Sequence, residues 1–140
     1  MQYRELGRRL IYTRYALAAI GLVLSVYLAF FDTSVLCPNT GVLDCGKVLT
    51  SSYATIFGIP NGYYGILFFV LVIALAYLRK RGALVAVTTI GIGFVAYLVH
   101  AEYVLGSICP YCTGVHIAAI GLFLISAYEM GGSEKPNQET

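Results

Sequence analysis

Four long apolar runs restrict the fold of this chain more than any other feature. They cover residues 15–31, 62–78, 83–105 and 109–128, each close to the ~20 residues that a membrane-spanning helix needs. Only 11% of the 140 residues are charged, against about 25% in a typical soluble domain. The sequence therefore predicts an all-α membrane protein, a bundle of four transmembrane helices. Small residues let helices pack closely in lipid, and the runs contain Gly21, Gly65, Gly91, Gly93 and Gly121.

The positive charges predict the orientation of this bundle, because short cytoplasmic loops carry an excess of Lys and Arg. Four arginines lie within residues 4–14, and Arg79, Lys80 and Arg81 separate the second and third runs. The segment 32–60 contains a single Lys47. We expect a multi-pass protein of the cell membrane with both termini in the cytoplasm and the 32–60 loop outside. The net charge of +2 is too small to indicate a nucleic acid as partner.

The chain is predicted to form one domain, residues 1–130, followed by a disordered cytoplasmic tail, residues 131–140, which is rich in polar residues and glycine. No Ala-x-Ala cleavage site follows the first run, so we interpret it as a retained anchor and not a signal peptide. In the outer loop, Asp44 is a suitable N-cap for a short helix over 45–51. The apolar residues 56–59 are expected to dip into the membrane interface and to fasten this loop as a lid over the bundle.

The cysteines are the clearest candidates for chemistry. Cys37, Cys45, Cys109 and Cys112 are all predicted at the outer end of the bundle. Cys109 and Cys112 form a Cys-x-x-Cys motif where the fourth helix begins, and Pro110 suits the first helical position. Cys109 then occupies the N-cap, where backbone N–H groups favour the thiolate, the reactive form of cysteine.

Cys37 and Cys45 are separated by turn-forming residues, Pro38, Asn39 and Gly41, which are able to bring the two thiols together. A disulfide that closes so short a loop stabilises the fold by only roughly 2–3 kcal/mol, whereas an exposed one is open to thiol exchange. We therefore interpret the four cysteines as a redox relay. The alternatives are two structural disulfides, or a four-thiolate metal site, for which the spacing of the first pair is unusually long.

The combined pattern resembles the vitamin K epoxide reductase (VKOR) family over residues 10–128. The matching features are Cys37 and Cys45, Ser51, Asn61, and the motif Cys109–Cys112. The chain resembles a prokaryotic-type member without a fused thioredoxin-like domain. A second four-helix, quinone-linked family, the bacterial DsbB type, carries its Cys-x-x-Cys in the first outer loop, so the order here favours the VKOR type.

The resemblance implies a membrane thiol–disulfide oxidoreductase that reduces a quinone of the menaquinone, ubiquinone or vitamin K type and supports disulfide formation. A separate extracytoplasmic thioredoxin-like protein attacks Cys37, Cys45 then attacks Cys109, and Cys112 passes electrons to the quinone. Two alternatives stay open at this point. One is vitamin K epoxide reduction as the main role, and the other is a metal-binding membrane protein without catalytic activity.

Three further residues are candidates for the quinone site. By analogy with the family, Asn61 hydrogen-bonds a quinone oxygen and Ser51 supports the loop helix above it, although Asn61 also suits a simple N-cap. His116 stands where vertebrate members of the family carry Tyr, one turn after Cys112 on the same helix face. A histidine in a membrane helix suggests function, here a hydrogen bond or a proton for the quinone. The alternative is a buried histidine bonded to a backbone carbonyl.

Overall fold

The computed structural model describes residues 2–31 and 51–132. The described part contains four α-helices: α1 (Gln2–Phe30), α2 (Asn61–Tyr77), α3 (Arg81–Leu105) and α4 (Pro110–Gly132). A 3₁₀ turn (Ser52–Ala54) and two short strands, β1 (Thr55–Ile56) and β2 (Ile59–Pro60), precede α2. The prediction of a mostly helical fold is confirmed. Cys37, Cys45 and the predicted loop helix up to residue 50 lie outside the described residues.

Three of these helices, α1, α3 and α4, are long and apolar enough to cross a membrane. The fourth, α2, is strongly apolar but has only 17 residues. At 1.5 Å per residue it is about 26 Å long, a few ångströms short of the ~30 Å hydrocarbon core. Three of the four predicted spans are therefore long and apolar enough to cross a membrane, and the crossing by α2 stays a prediction.

The first and last helices extend further toward the chain termini than the apolar runs indicated. Helix α1 begins at Gln2, thirteen residues before the predicted start at residue 15, and α4 continues to Gly132. Hydropathy marks only the lipid-facing part of a helix, whereas the Arg, Leu and Glu residues near the start of α1 are good helix formers in water as well. The first two residues of the predicted tail are thus helical, and residues 133–140 lie outside the described part.

Helix α1 packs against α2 and α4, and α3 packs against the same two helices from the other side. Buried apolar side chains fill the centre of the bundle, among them Ala18, Phe69, Val72 and Leu122. Neighbouring helices in the chain run in opposite directions, so each end of the bundle collects one end of every helix. This arrangement determines which distant residues meet.

Glycines allow several of these close approaches. A Cβ atom on Gly21 of α1 would lie 2.2 Å from the Phe69 ring, and one on Gly62 of α2 would lie 2.9 Å from the backbone nitrogen of Ala29. The predicted contact glycines Gly65, Gly91 and Gly121 also face neighbouring side chains. Gly93 does not, since nothing lies within 4 Å of its Cβ position, and the prediction for that residue is wrong.

At one end of the bundle, which we call the cysteine end, the last turn of α1 meets the starts of α2 and α4. The rings of Tyr27 and Tyr111 are 5.1 Å apart, and those of Phe30 and Tyr63 are 5.4 Å apart. At the opposite end, Arg14 of α1 forms a largely buried ion pair with Glu129 of α4. The cysteine end also holds Cys109 and the end of α3, and it is the end that the sequence predicted to face outside.

The apolar segment 56–59 forms a tight hairpin. Thr55 pairs with Pro60 and Ile56 with Ile59, and the two turn residues Phe57 and Gly58 both have positive φ angles of 53° and 78°, as in the type I′ turns that suit short hairpins. Phe57 is 95% exposed at the tip. Its insertion into the membrane interface, and the lid of which it was predicted to be part, stay predictions.

Candidate functional site

The Cys-x-x-Cys motif opens α4 as the sequence predicted. The helix begins at Pro110, so Cys109 precedes it at the N-cap. The backbone N–H of Cys112 points at the Cys109 sulfur over 3.5 Å, and Thr113 donates its backbone N–H and its hydroxyl to the Cys109 carbonyl over 2.9 and 3.0 Å. Both side chains are in the thiol form. The first turn of α4 therefore fixes the two sulfurs next to each other.

The electrostatics of this turn favour ionisation of Cys109. The Cys112 thiol donates a hydrogen bond to the Cys109 sulfur and lowers the pKa of Cys109, and the backbone N–H groups of Cys112 and Tyr111 lower it further. Burial and the nearby Glu102 act in the opposite direction, but the net pKa of Cys109 is below its ordinary value. A helix N-terminus is a common setting for reactive thiolates. The reduced pair thus holds its negative charge at Cys109.

A cavity of about 300 Å³ opens beside this turn, between the four helices. Its walls are almost entirely apolar, and Phe68, Phe94 and Leu98 are among them. Cys112 and His116 line it from α4, and Asn61 lines it from the start of α2. Its size falls at the lower end of small-molecule sites. The structure therefore brings three of the predicted site residues to one cavity.

Four polar atoms on this apolar wall have no hydrogen-bond partner among the described residues. They are Ser25 Oγ, Asn61 Oδ1, Glu102 Oε1 and His116 Nε2. Buried polar groups are normally paired, because each unpaired one loses its bonds to water without compensation. Unpaired groups around one cavity point to a ligand that completes them. A flat apolar ring with oxygen atoms at its edge, such as a quinone, fits such walls. Ser25 and His116 are able to donate to its carbonyl oxygens, and the oxygens of Asn61 and Glu102 are able to accept from the hydroxyl groups of its reduced form.

The segment that precedes α2 holds the Asn61 side chain in place. It is the first residue of α2, its side-chain N–H₂ donates to the carbonyl of Tyr53 over 2.8 Å, and its oxygen is the unpaired atom at the cavity. The alternative that Asn61 is a simple N-cap is wrong, since Pro60 occupies that position. Tyr64 adds a second tie by donating its hydroxyl to the Ile56 carbonyl over 2.9 Å. The hairpin segment thus orients the polar groups at the start of α2.

His116 lies one turn below Cys112 and is only 4% exposed. It lines the same cavity, as the spacing of four residues predicted. Its Nε2 atom has no hydrogen-bond partner within the described part of the chain. This nitrogen therefore does not support the alternative of a buried histidine bonded to a backbone carbonyl. Ser51 differs from the other candidates. It is half-buried directly before the 3₁₀ turn and is not among the residues that line the cavity.

Sequence reasoning missed four polar residues that line this cavity: Glu102 on α3, Ser25 on α1, Tyr64 on α2 and Tyr53 before the hairpin. Glu102 is 9% exposed and carries a signal that was available, because an acidic residue inside an apolar membrane run suggests function. Ser25, 1% exposed, carries a weaker signal, since a serine in a membrane helix often bonds its own backbone. Nothing in the sequence around Tyr53 indicates its position.

Cys37 and Cys45, the other half of the predicted relay, lie outside the described residues. Their pairing, and the alternative of a metal site built on all four cysteines, stay predictions for that reason. Within residues 2–31 and 51–132, no three His, Cys, Asp or Glu side chains are grouped so that they could hold a metal ion. The described site thus consists of one thiol pair and an apolar cavity with polar edges.

The comparison with known families agrees with this site. The VKOR family model, that of the vitamin K epoxide reductase family, matches residues 12–127. No curated protein matches the chain. The matched region begins inside α1 and ends inside α4, so it covers the cavity and the Cys-x-x-Cys turn. The chain therefore belongs to the vitamin K epoxide reductase family, whose members are membrane oxidoreductases associated with quinones.

Proposed function

We propose that this protein is a membrane thiol–disulfide oxidoreductase that oxidises a thioredoxin-like partner and reduces a quinone. One observation carries the proposal. Cys112 lies in the wall of an apolar cavity of about 300 Å³, and it is hydrogen-bonded to the second thiol of a Cys-x-x-Cys pair. A dithiol in the wall of an apolar cavity is placed to give two electrons to a hydrophobic oxidant.

The site residues have distinct roles in this proposal. The partner attacks Cys37, the released Cys45 attacks Cys109, and Cys112 faces the quinone. The unpaired Asn61 Oδ1 and His116 Nε2 atoms lie at the polar edge of the cavity. His116 is able to donate a hydrogen bond to a quinone oxygen, whereas Asn61, whose N–H₂ group is bonded to the Tyr53 carbonyl, is able to accept one from a hydroxyl group of the hydroquinone product. Ser51 supports the loop above.

The cysteine end faces the extracytoplasmic side in this proposal, and both termini are in the cytoplasm. The basic residues favour this orientation, since Arg79 and Lys80 lie in the turn between α2 and α3 and Arg81 begins α3, at the end of the bundle opposite the cysteine end. An oxidising compartment on the outer side is where disulfides form and persist. A separate thioredoxin-like thiol protein on that side then supplies the electrons.

The direct test is anaerobic quinone reduction by the purified protein, with a reduced thioredoxin-like protein as electron donor. We expect Cys112→Ala to abolish quinone reduction, because the disulfide with Cys109 can no longer form. Ser126→Ala is the matched control, since Ser126 is also a small buried residue of α4 but does not line the cavity. Full activity of Cys112→Ala, or no activity of the unmodified protein with any quinone, contradicts the proposal.

Reduction of a vitamin K epoxide is the second candidate, favoured by the family match over residues 12–127. Opening an epoxide requires an acid beside the ring, and Glu102 is a buried carboxyl group in the same cavity. The same assay distinguishes the two activities when the epoxide replaces the quinone. Turnover of the epoxide that exceeds turnover of the quinone would make the epoxide the main substrate.

A further inference from the structure

Glu102 occupies an unusual position for an acidic residue. It lies one turn before the end of α3, inside an apolar helix that is long enough to cross the membrane. Its side chain is 9% exposed and lines the cavity with Cys112 and His116. Ionisable residues in membrane helices are costly and mark proton or ion pathways more often than packing. The position therefore needs an explanation from its contacts.

Part of the explanation is structural. The Glu102 carboxyl accepts a hydrogen bond from the backbone N–H of Cys109, so it ties the end of α3 to the N-cap of α4. One oxygen is enough for this bond, and an amide oxygen would serve equally well, as glutamine does in capping boxes. The second oxygen, Oε1, is buried without a partner among the described residues. The bond to the Cys109 N–H therefore accounts for one carboxyl oxygen of Glu102, whereas it gives no reason for the buried, unpaired Oε1.

The charges near Glu102 suggest a role for the unpaired Oε1 oxygen. No basic side chain of the described residues forms an ion pair with Glu102; the described ion pair joins Arg14 to Glu129 at the opposite end. Its titratable neighbours are Cys109 and Cys112, both of which interact with it electrostatically. Two negative charges in so small an apolar space repel strongly. Glu102 and Cys109 are thus expected to hold one negative charge, and one proton, between them.

The remaining titratable groups around the cavity come from other elements. They are His116 on α4, Tyr64 on α2 and Tyr53 before the hairpin. None of these is a permanent cation, so none neutralises a second negative charge. The reduced site therefore keeps a single negative charge, and moving the proton between the thiol and the carboxylate shifts that charge without adding a second one.

We propose that Glu102 takes up the proton of the Cys109 thiol and returns it when the quinone is reduced. This inference rests on the proposed function. Proton transfer leaves Cys109 as thiolate and Glu102 as a neutral acid, with the net charge unchanged. The sulfurs of Cys109 and Cys112 then join, and the quinone takes up the two electrons released. Its two oxygens receive the proton held by Glu102 and the proton of the Cys112 thiol. The products are a disulfide, a hydroquinone and the Glu102 carboxylate.

The substitution Glu102→Gln separates proton transfer from capping. Glutamine keeps the shape and the oxygen that accepts the Cys109 N–H, but it cannot take up a proton at the pH of the assay. Acid–base groups typically contribute 10²–10⁴-fold to a rate. We expect Glu102→Gln to reduce quinone roughly 10²-fold more slowly, with an unchanged melting temperature and a pH–rate profile that has lost the limb due to the carboxylate. Glu102→Asp should recover part of the rate and that limb.

A second measurement needs no quinone. The infrared difference between the dithiol and disulfide forms should contain the C=O stretch of a protonated carboxyl group in the unmodified protein, and that band should be missing in Glu102→Gln. Equal rates and equal pH profiles in Glu102→Gln and the unmodified protein would overturn the inference and leave the proposed function intact. An unmodified protein that reduces no quinone overturns the proposed function, and a persistent carboxyl band would then still report proton sharing.

Discussion

At the scale of single residues, the sequence predicted the parts of the site that depend on local spacing. Cys109, Cys112 and His116 lie on one helical stretch, so the helix period alone places Cys112 and His116 on the same face. Asn61 was found through its place in a family pattern. Glu102 and Ser25 reach the same cavity from other helices, and which faces of separate helices meet depends on packing that no local pattern records.

The ionisation of Cys109 can be tested at this scale. Its pKa is lowered chiefly by the hydrogen bond from the Cys112 thiol, so removal of that thiol should raise it. In a protein with Cys37 and Cys45 replaced by alanine, thiolate absorbance should rise at a pH below the ~8.5 of a free cysteine. Since a lowered pKa keeps the thiolate present down to lower pH, Cys112→Ala should shift the rise to higher pH.

Thr113→Val provides the control for that titration. Valine has nearly the same shape and removes the hydroxyl that bonds the Cys109 carbonyl over 3.0 Å, but it leaves the sulfur environment in place. We expect its titration to match that of the parent protein. The same midpoint in Cys112→Ala and in the parent would show that the hydrogen bond from Cys112 does not determine the ionisation of Cys109.

At the scale of elements, the apolar runs predicted the existence of all four helices but misplaced the start of α1 and the end of α4. The lipid-exposed portion of a helix has a clear hydropathy signal, whereas the first turns of α1 are polar and their sequence does not differ from that of an exposed loop. The contact glycines show the same limit. Gly21 and Gly93 are equivalent in sequence, yet Gly21 faces Phe69 and Gly93 faces open space, because the direction of each face is set by the bundle.

That contrast gives a matched pair of variants. Gly21→Ala places a methyl group 2.2 Å from the Phe69 ring, which must move, and overpacking of this kind typically costs about 1–3 kcal/mol. Gly93→Ala meets nothing within 4 Å and should be neutral or stabilising by about 0.5–1 kcal/mol, since alanine is the better helix former. Thermal unfolding in detergent measures both. A Gly21→Ala protein as stable as Gly93→Ala would contradict the packing of α1 against α2.

At the scale of the whole molecule, the arrangement joins two features that lie far apart in the sequence. The Arg14–Glu129 pair links the first and last helices at one end, and the cavity with Cys112 occupies the other. Within residues 2–31 and 51–132, charge is therefore segregated along the bundle, with the paired and exposed basic residues at one end and the buried carboxyl group of Glu102 beside the thiols. Such segregation is what a membrane protein needs in order to have a fixed orientation.

Orientation and the crossing by α2 can be tested together. Ser52 and Lys80 are both exposed and flank α2, which at about 26 Å is marginal for a bilayer. In a protein whose four cysteines are replaced by alanine, we expect a membrane-impermeant maleimide to label Ser52→Cys in intact cells. Lys80→Cys should react only after the cells are permeabilised, because the basic turn 79–81 stays in the cytoplasm.

Each other outcome of this labelling has a definite meaning. Labelling of Lys80→Cys alone in intact cells would invert the orientation and place the thiols in the cytoplasm, where disulfides are kept reduced. Labelling of both positions from one side would mean that α2 does not cross, so the bundle would have three spans. The expected pattern of opposite sides requires α2 to cross despite its 17 residues, which local thinning of the bilayer or its burial against α1 and α3 allows.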